Sequence, residues 1–460
     1  MATNDLPRIG DFRSDLSADE IAAATAAEVR SIAAQSYLHG VPAFIHMRQL
    51  TEFIQGREAT APDEAPLGKW LLVRTLSDAQ TTNTLPNVDT LYGASYILLD
   101  EQGPFVVTVP PIPDRYYSVA FLDAYFNNFE IVSPRTYGND GGTYLVVPPG
   151  WEGDTPAGID AVFVAPTPNI NIYQRIFVRD ETEYDVLHGI QDAIELTPLA
   201  TWRGGSDAVP AADLSPYRIE GMRMTRDPLE FFERVNFYRG LNPPPAEDGG
   251  LMALFATAGL GPGSTVPDDP ATRTAIAQGA ADAQATINAR ISAGPFRNGW
   301  RVPDPYTGLA GPHILSRATA QLVQIGSFYP AEAIYFIGLR DADGRVLDGT
   351  SRRYRFTFAP GEAPPLREYG FWSLTMYNAD SFLVDNPLDR YILRPDSPGL
   401  VHGDDGSLTL AIQAEAPTDV PEANWLPAPK GGFFVTLRTY LSKPAIVDGT
   451  WFPPALVALD

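Results

Sequence analysis

The spacing of apolar and polar positions changes character several times along the chain. Up to about residue 60 it is helical. Ser17 and Glu20 form a capping box ahead of ADEIAAATAAEVRSIAAQSYLHG, an alanine-rich run expected to end at Gly40. A second helix is expected after Pro42, through AFIHMRQLTEFIQG. There Phe44, Met47, Leu50, Phe53 and Ile54 share a face suited to a neighbouring body or another subunit. From 70 to 178 the runs are short, β-branched and aromatic, and bounded by Pro and Gly: GPFVVTVPP, YYSVAFLDA, GTYLVVPPG, IDAVFVAP. Such runs predict the strands of a sandwich or barrel. Asp180 then caps a helix with Leu187, Ile190 and Ile194 as its buried stripe. Asp227-Pro228 and Asp269-Pro270 open two more helices in a mixed connector. From about 331 the strand pattern resumes in AIYFIGL, RYRFTFAP, FWSLTMYNA, GSLTLAIQA and FFVTLRTYL.

The second strand-rich region repeats the first. RYYSVAFLDAY at 115–125 returns as GFWSLTMYNAD at 370–380. Each copy follows an alternating strand that ends in proline, FVVTVP or YRFTFAP, and precedes a glycine-led strand, GTYLVV or GSLTLA. Each half then places arginine nine residues after an Ala-Pro, at Pro166 to Arg175 and Pro429 to Arg438. Four matches in one order predict an internal duplication. Within it, Asp123 or Asn378 and Arg175 or Arg438 are polar positions on apolar strands. They are expected either to pair with each other in a core or to face a ligand.

The expected fold class is mainly β, with two jelly-roll-like β-sandwiches from this duplication, N-terminal helices and a helical connector. The expected divisions are a helical segment at 1–60, a first sandwich at 61–196, a connector at 197–330 and a second sandwich at 331–460.

Composition narrows function more than it names it. Against 33 basic residues stand 56 acidic ones, a net charge of −23. That balance argues against a nucleic-acid or anionic membrane partner. The chain has no cysteine, which removes thiol nucleophiles, zinc–thiolate sites, iron–sulfur clusters and disulfides. MATNDLPRIG lacks the basic and apolar regions of a signal peptide. The expected location is cytoplasmic as given, or periplasmic or secreted if a leader has been removed. No apolar run is long enough to span a membrane.

LPNVDTLYGASYILLD, DRYYSVAFLDAYFNNF and GTYLVVPPGWEGDTP resemble the N-terminal half of a bacterial two-domain family of unknown function, the domain of unknown function twelve-fifty-four. YGFWSLTMYNADSFLVDNPLDRY, DGSLTLAIQ and NWLPAPKGGFFVTLRTYLSKPAIVDGTWFPP resemble its C-terminal partner, twelve-fourteen. The resemblance covers roughly 70–180 and 330–458. It implies a double jelly-roll fold and oligomers assembled through N-terminal helices, and no established general activity. PTPNINIYQRIFV departs from the family's tryptophan-bearing version by placing Tyr173 there.

Candidate chemistry concentrates in two places. NTLPNVDTLYG brings Asn83, Asn87, Asp89 and Tyr92 together. These are ordinary turn residues, or else a polar cluster in which Asp89 is a general base or metal ligand and Tyr92 a proton donor or sugar platform. Arg115 could hold a substrate oxygen in its planar fork. Tyr117 and Asp123, with Tyr377 and Asn378 in the second half, are expected to bind substrate. EANWLPAPKGG offers Trp425 and Lys430 as a second ligand face or a plug at a sandwich end.

The five histidines form no metal-binding spacing, and surface or interface packing is expected for His39 and His46. No nucleotide-binding or serine-hydrolase motif is present. The expected function is a cofactor-independent hydrolase or lyase acting on a small organic or carbohydrate-like substrate. The alternatives are a non-catalytic carbohydrate-binding or interaction protein, or a structural homo-oligomer joined through its N-terminal helices.

Overall fold

The computed structural model describes residues 15–61, 64, 66–82, 85–205, 208–217 and 227–459. It begins with one helix where two were expected. Helix α1 runs unbroken from Ala18 to Thr60, with the Ser17–Glu20 capping box in place and Pro42 inside it. A proline there removes one backbone hydrogen bond. Packing overrides that loss, because Val41 to Met47 are all buried. Gly40 is a contact point. A Cβ on it would lie 2.9 Å from Val235 Cγ1 on a crossing helix, so glycine lets the two axes approach.

The remaining helices are α2 (Leu99–Gln102), α3 (Tyr184–Ala193), α4 (Leu199–Trp202), α5 (Pro228–Leu241), α6 (Gly249–Ala256), α7 (Pro270–Ala293), α8 (Ile314–Val323) and α9 (Pro444–Val447). Asp227 and Asp269 cap α5 and α7 as the Asp-Pro pairs predict. Helix α7 lies along α1 through small residues, with Gly279 against Arg30 O and Ala33. The buried positions of α1, from Ile32 to Ile54, join one core with α5, α7 and the first β-sheet. The apolar stripe expected to serve another subunit is therefore covered within the chain. No helix among the described residues is long and apolar enough to cross a membrane.

Strands β1 (Leu71–Leu72), β2 (Thr90–Leu98), β3 (Phe105–Val109), β4 (Tyr117–Asp123) and β5 (Asn128–Val132) open the first half. It continues with β6 (Gly142–Val147), β7 (Ala161–Val164), β8 (Asn169–Phe177) and β9 (Glu195–Pro198). The second half holds β10 (Phe296–Arg297), β11 (Trp300–Arg301), β12 (Ala333–Gly338), β13 (Arg353–Phe358) and β14 (Trp372–Asn378). It ends with β15 (Ile392–Leu393), β16 (Leu408–Gln413), β17 (Trp425–Pro427), β18 (Phe433–Tyr440) and β19 (Leu456–Leu459).

Four sheets result. Their orders are β1-β2-β8-β4-β5 and β7-β6-β3-β9 in the first half, then β10-β11-β12-β18-β14-β15 and β17-β16-β13-β19 in the second. From β2 onward each first-half strand has a counterpart numbered ten higher in the same place. The one parallel pairing also recurs, β6 with β7 and β16 with β17. Each half encloses its own core, one around Phe105, Phe121, Tyr144 and Ile172, the other around Trp300, Phe356, Trp372 and Leu437. The class is sheet-rich with substantial helix, at 31% helix against 24% strand.

Candidate functional site

Side chains alternate faces along a strand, so the residues flanking an inward apolar position point out of the sandwich. In β8, Ile172 and Ile176 join the sandwich core while Arg175 takes the opposite face. Register places Tyr92 of β2 and Ser118 of β4 on either side of Arg175. The second half repeats this row, with Tyr335 of β12 and Ser373 of β14 on either side of Arg438. The two Tyr–Arg–Ser rows belong to the faces along which the halves meet.

That seam is made of matched contacts. Tyr116 and Tyr440 rings lie 5.0 Å apart, and Phe371 and Phe177 rings 4.2 Å apart. Tyr116 aligns with Phe371, and Phe177 with Tyr440, so the two contacts are counterparts, as in an isologous interface. Asp89 and Glu332 are counterparts too, each three residues before its row's tyrosine. Val178 N donates to Asp89 O, and Leu441 N to Glu332 O. Each acid reaches across the seam: Ser373 Oγ donates to Asp89 Oδ2 at 2.8 Å, and Tyr116 OH to Glu332 Oε1 at 3.0 Å.

A cavity of about 230 Å³ opens in this seam. Its polar side is Asn87, Tyr92, Arg175, Tyr335, Thr436 and Arg438, and its apolar side is Leu85, Leu322, Val323, Ile325 and Ile337. Both arginines are buried, 5% and 4% exposed. Arg175 stacks on Phe328 at 4.0 Å and donates one bond, to Gly326 O at 3.1 Å. Its Nε and Nη1 have no hydrogen-bond partner, nor does Thr436 Oγ1. Arg438 donates to Thr375 Oγ1 at 2.7 Å and to Tyr377 OH at 2.6 Å. Among the described residues neither guanidinium makes an ion pair. The nearby acid is Asp89. Burial pushes its carboxyl up, while Arg438 and Arg394 pull it down. Its Oδ1 is buried and unpartnered. Burial also pushes the Tyr335 phenol up to about 12, so it stays protonated and able to donate.

Of the residues expected from sequence, Asn87 and Tyr92 line this cavity, and Asp89 and Tyr377 stand beside Arg438. Asn87 donates to Tyr440 OH and accepts from Asp89 N, so it also fixes the turn that carries Asp89. Asn83 lies outside the described residues. Arg115 turns elsewhere, bonded to Asp114 and Glu183 at 2.9 Å each and to Phe177 O. Tyr117 points into the first sandwich core and donates to Gly138 O. Trp425 is buried in β17 with its indole N–H on Gln413 O, and exposed Lys430 pairs with Glu415. That loop presents no joint face of the two.

The expected pairing of Asp123 with Arg175, and of Asn378 with Arg438, does not form. Arg175 stands opposite Ser118, whereas Asp123 stands opposite Ile170, five positions along the ladder. Asp123 instead accepts from Tyr125 N, Asn127 N and Asn127 Nδ2. Asn378 accepts from Asp380 N and Phe382 N in the same pattern. Both therefore hold turns whose third residue, Phe126 or Ser381, has positive φ.

His39 and His46 are buried in the helical layer. His39 bridges Asp248 and Arg239, His46 meets Tyr238 OH, and burial pushes both down to about 3. Among the described residues no group of three or more His, Cys, Asp or Glu could hold a metal ion. Tyr335, Thr436, Gln324 and Ser327 line the cavity without having been expected from sequence, and of these Tyr335 had a readable signal. Its signal was an upstream extension of the repeat, DTLY at 89–92 against EAIY at 332–335.

Residues 69–198 match the family model described as protein of unknown function DUF1254, and residues 332–444 match protein of unknown function DUF1214. A crystal structure of the VPA0106 protein from Vibrio parahaemolyticus is similar over 94% of this chain and all of its own, with TM-score 0.69 and 22% identity. It shares the fold. A putative uncharacterized protein from Burkholderia cenocepacia aligns over 95% of this chain and 96% of its own, at TM-score 0.43 and 12% identity. No curated protein matches the sequence.

Proposed function

We propose that this chain, which carries one DUF1254 and one DUF1214 domain, binds a small organic anion in the cavity between its two β halves. The observation behind this is the pair of buried arginines, Arg175 and Arg438, lining one cavity without an ion-pair partner. A buried guanidinium is costly to leave uncompensated, and its donors match a carboxylate fork. Arg175 keeps two nitrogens free, and Tyr92, Tyr335 and Asn87 add polar groups on the same wall. The cavity lies below the roughly 300–1,000 Å³ of drug-sized sites, which fits a small metabolite. A neutral saccharide would bring no charge to either guanidinium.

A second proposal keeps the hydrolase or lyase chemistry expected of this sequence. It is favoured by Asp89, a buried carboxyl beside Arg438 with one oxygen unpartnered and its pKa raised. Asp89 would move a proton while Arg438 or Tyr92 holds the charge left on a substrate oxygen. Arg115 has no part in it.

The shared strand order, the eight matched strands of each half (β2–β9 and β12–β19) and the counterpart rows also support a finer architectural proposal. Each half is a jelly-roll-like sandwich, and the two descend from one duplicated unit.

Calorimetric titration with butyrate and with neutral butyramide tests the anion site. Butyrate should bind and butyramide should not. Arg438→Gln should weaken butyrate about 10- to 100-fold, the worth of a hydrogen bond to a charged group. Equal binding of acid and amide would exclude the anion site.

A further inference from the structure

A second cavity, of about 90 Å³, adjoins the first. Val323, Gln324, Tyr335 and Ile337 line both, so only these side chains divide them. The second cavity differs in character. Its walls include Ile291, Pro295, Val302, Pro303, Ala320 and Ile334. The two arginines at its edge are already engaged, Arg290 with Asp304 at 3.1 Å and Arg301 with the carbonyls of Arg290 and Ile291. Its walls are therefore mostly apolar, with its arginines held at the edge by groups of the chain itself. On the first cavity's own apolar side, Leu322 and Ile325 are exposed, at 38% and 39%.

Together these features place a polar chamber and a mostly apolar one side by side, with Val323, Gln324, Tyr335 and Ile337 between them. Two buried guanidinium groups lie in the polar chamber, and the short apolar one lies beyond Val323. We infer that the ligand is an amphiphilic monocarboxylate, an aliphatic acid whose head sits between Arg175 and Arg438 and whose tail passes Val323 into the second cavity. The inference rests on the anion site proposed above and adds the class of its ligand. Charge favours one carboxylate. Asp89 stands beside one of the two arginines, and the far chamber is walled mostly by apolar side chains.

The test is an equilibrium titration of the full chain with butyrate, hexanoate, octanoate and decanoate, kept below their micelle concentrations. Octanol and octanedioate serve as controls. Affinity should rise about fourfold per methylene until the second cavity is full and then level off. Octanol should bind far more weakly than octanoate, and octanedioate no more tightly. Val302→Trp fills only the second cavity and should leave butyrate affinity unchanged while flattening the length series. Ala320→Phe should act in the same way, so a poorly folded Val302→Trp protein leaves the question answerable. Butyrate binding with no gain on lengthening, or tighter binding of octanedioate, would overturn the amphiphile assignment and leave the anion site standing. Failure of every acid to bind would overturn both.

Discussion

Asp89 and Glu332 hold matching places in the two halves, three residues before Tyr92 and Tyr335, and both are fully buried. Their surroundings differ. Glu332 is closed off: Tyr116 OH, Ser133 Oγ and Arg135 Nε all donate to it, the last at 2.8 Å. Asp89 accepts one side-chain bond, from Ser373, and keeps Oδ1 unpartnered beside Arg438. Buried polar groups are normally satisfied, and an exception calls for a reason. Glu332 is a clamp across the seam. Asp89 keeps an unpartnered oxygen beside Arg438, which lines the cavity.

Removing the clamp should have the largest effect. Glu332→Ala strips the partner from partly buried Arg135 and from two hydroxyls in a fully buried site, so unfolding in urea should show a loss of about 3 kcal/mol. Asp89→Asn should change stability by within about 1 kcal/mol, since only one hydrogen bond is altered. Equal losses would mean that the two acids do the same job.

Acid titration separates the seam from the helical layer. His39 and His46 are held at about 3, well below the unfolded value of about 6.5. Unfolding must then take up protons, and stability falls as pH drops from about 6.5 toward 3, by up to about 1.4 kcal/mol per pH unit for each. Urea midpoints at several pH values check this. Asp89 runs the other way, because burial raises its folded pKa above the ordinary value of about 3.9. Its charged form costs stability, so Asp89→Asn should gain on the wild type as pH rises from about 4. A flat difference would mean that the carboxyl is not penalised by burial.

The smallest effect sharpens the comparison on the ligand side. Asp89→Asn removes the negative charge that offsets Arg438, so butyrate should bind a few-fold more tightly, an effect damped by salt. Glu332→Gln, whose charge is already matched by Arg135, should leave butyrate affinity unchanged.

How much of this was legible in the sequence depended on whether the cause was local. The Ser17–Glu20 box, the Asp-Pro helix starts and the repeated strands depend on neighbours within a few residues, and they could be read directly. The continuity of α1 could not. Pro42 is tolerated because a helix from residues 228–241 buries that turn, a contact nearly two hundred residues away in sequence. The pairing of Asp123 with Arg175 failed for a related reason. Both lie on adjacent strands, yet register alone decides which residues face each other. Arg175 and Arg438 were recognisable as polar residues out of place. That they line one cavity is a property of how the halves meet, and only the DTLY and EAIY match hinted that the repeat extended into its wall.

Crystals grown with a bromoalkanoate would locate both ends of the ligand, through the carboxylate density and the bromine anomalous signal. Carboxylate oxygens should lie within hydrogen-bond distance of both Arg175 and Arg438, with bromine beyond Val323 near Val302. Density in which the acid lies elsewhere, leaving the two arginines without an anion, would contradict the proposed anion site.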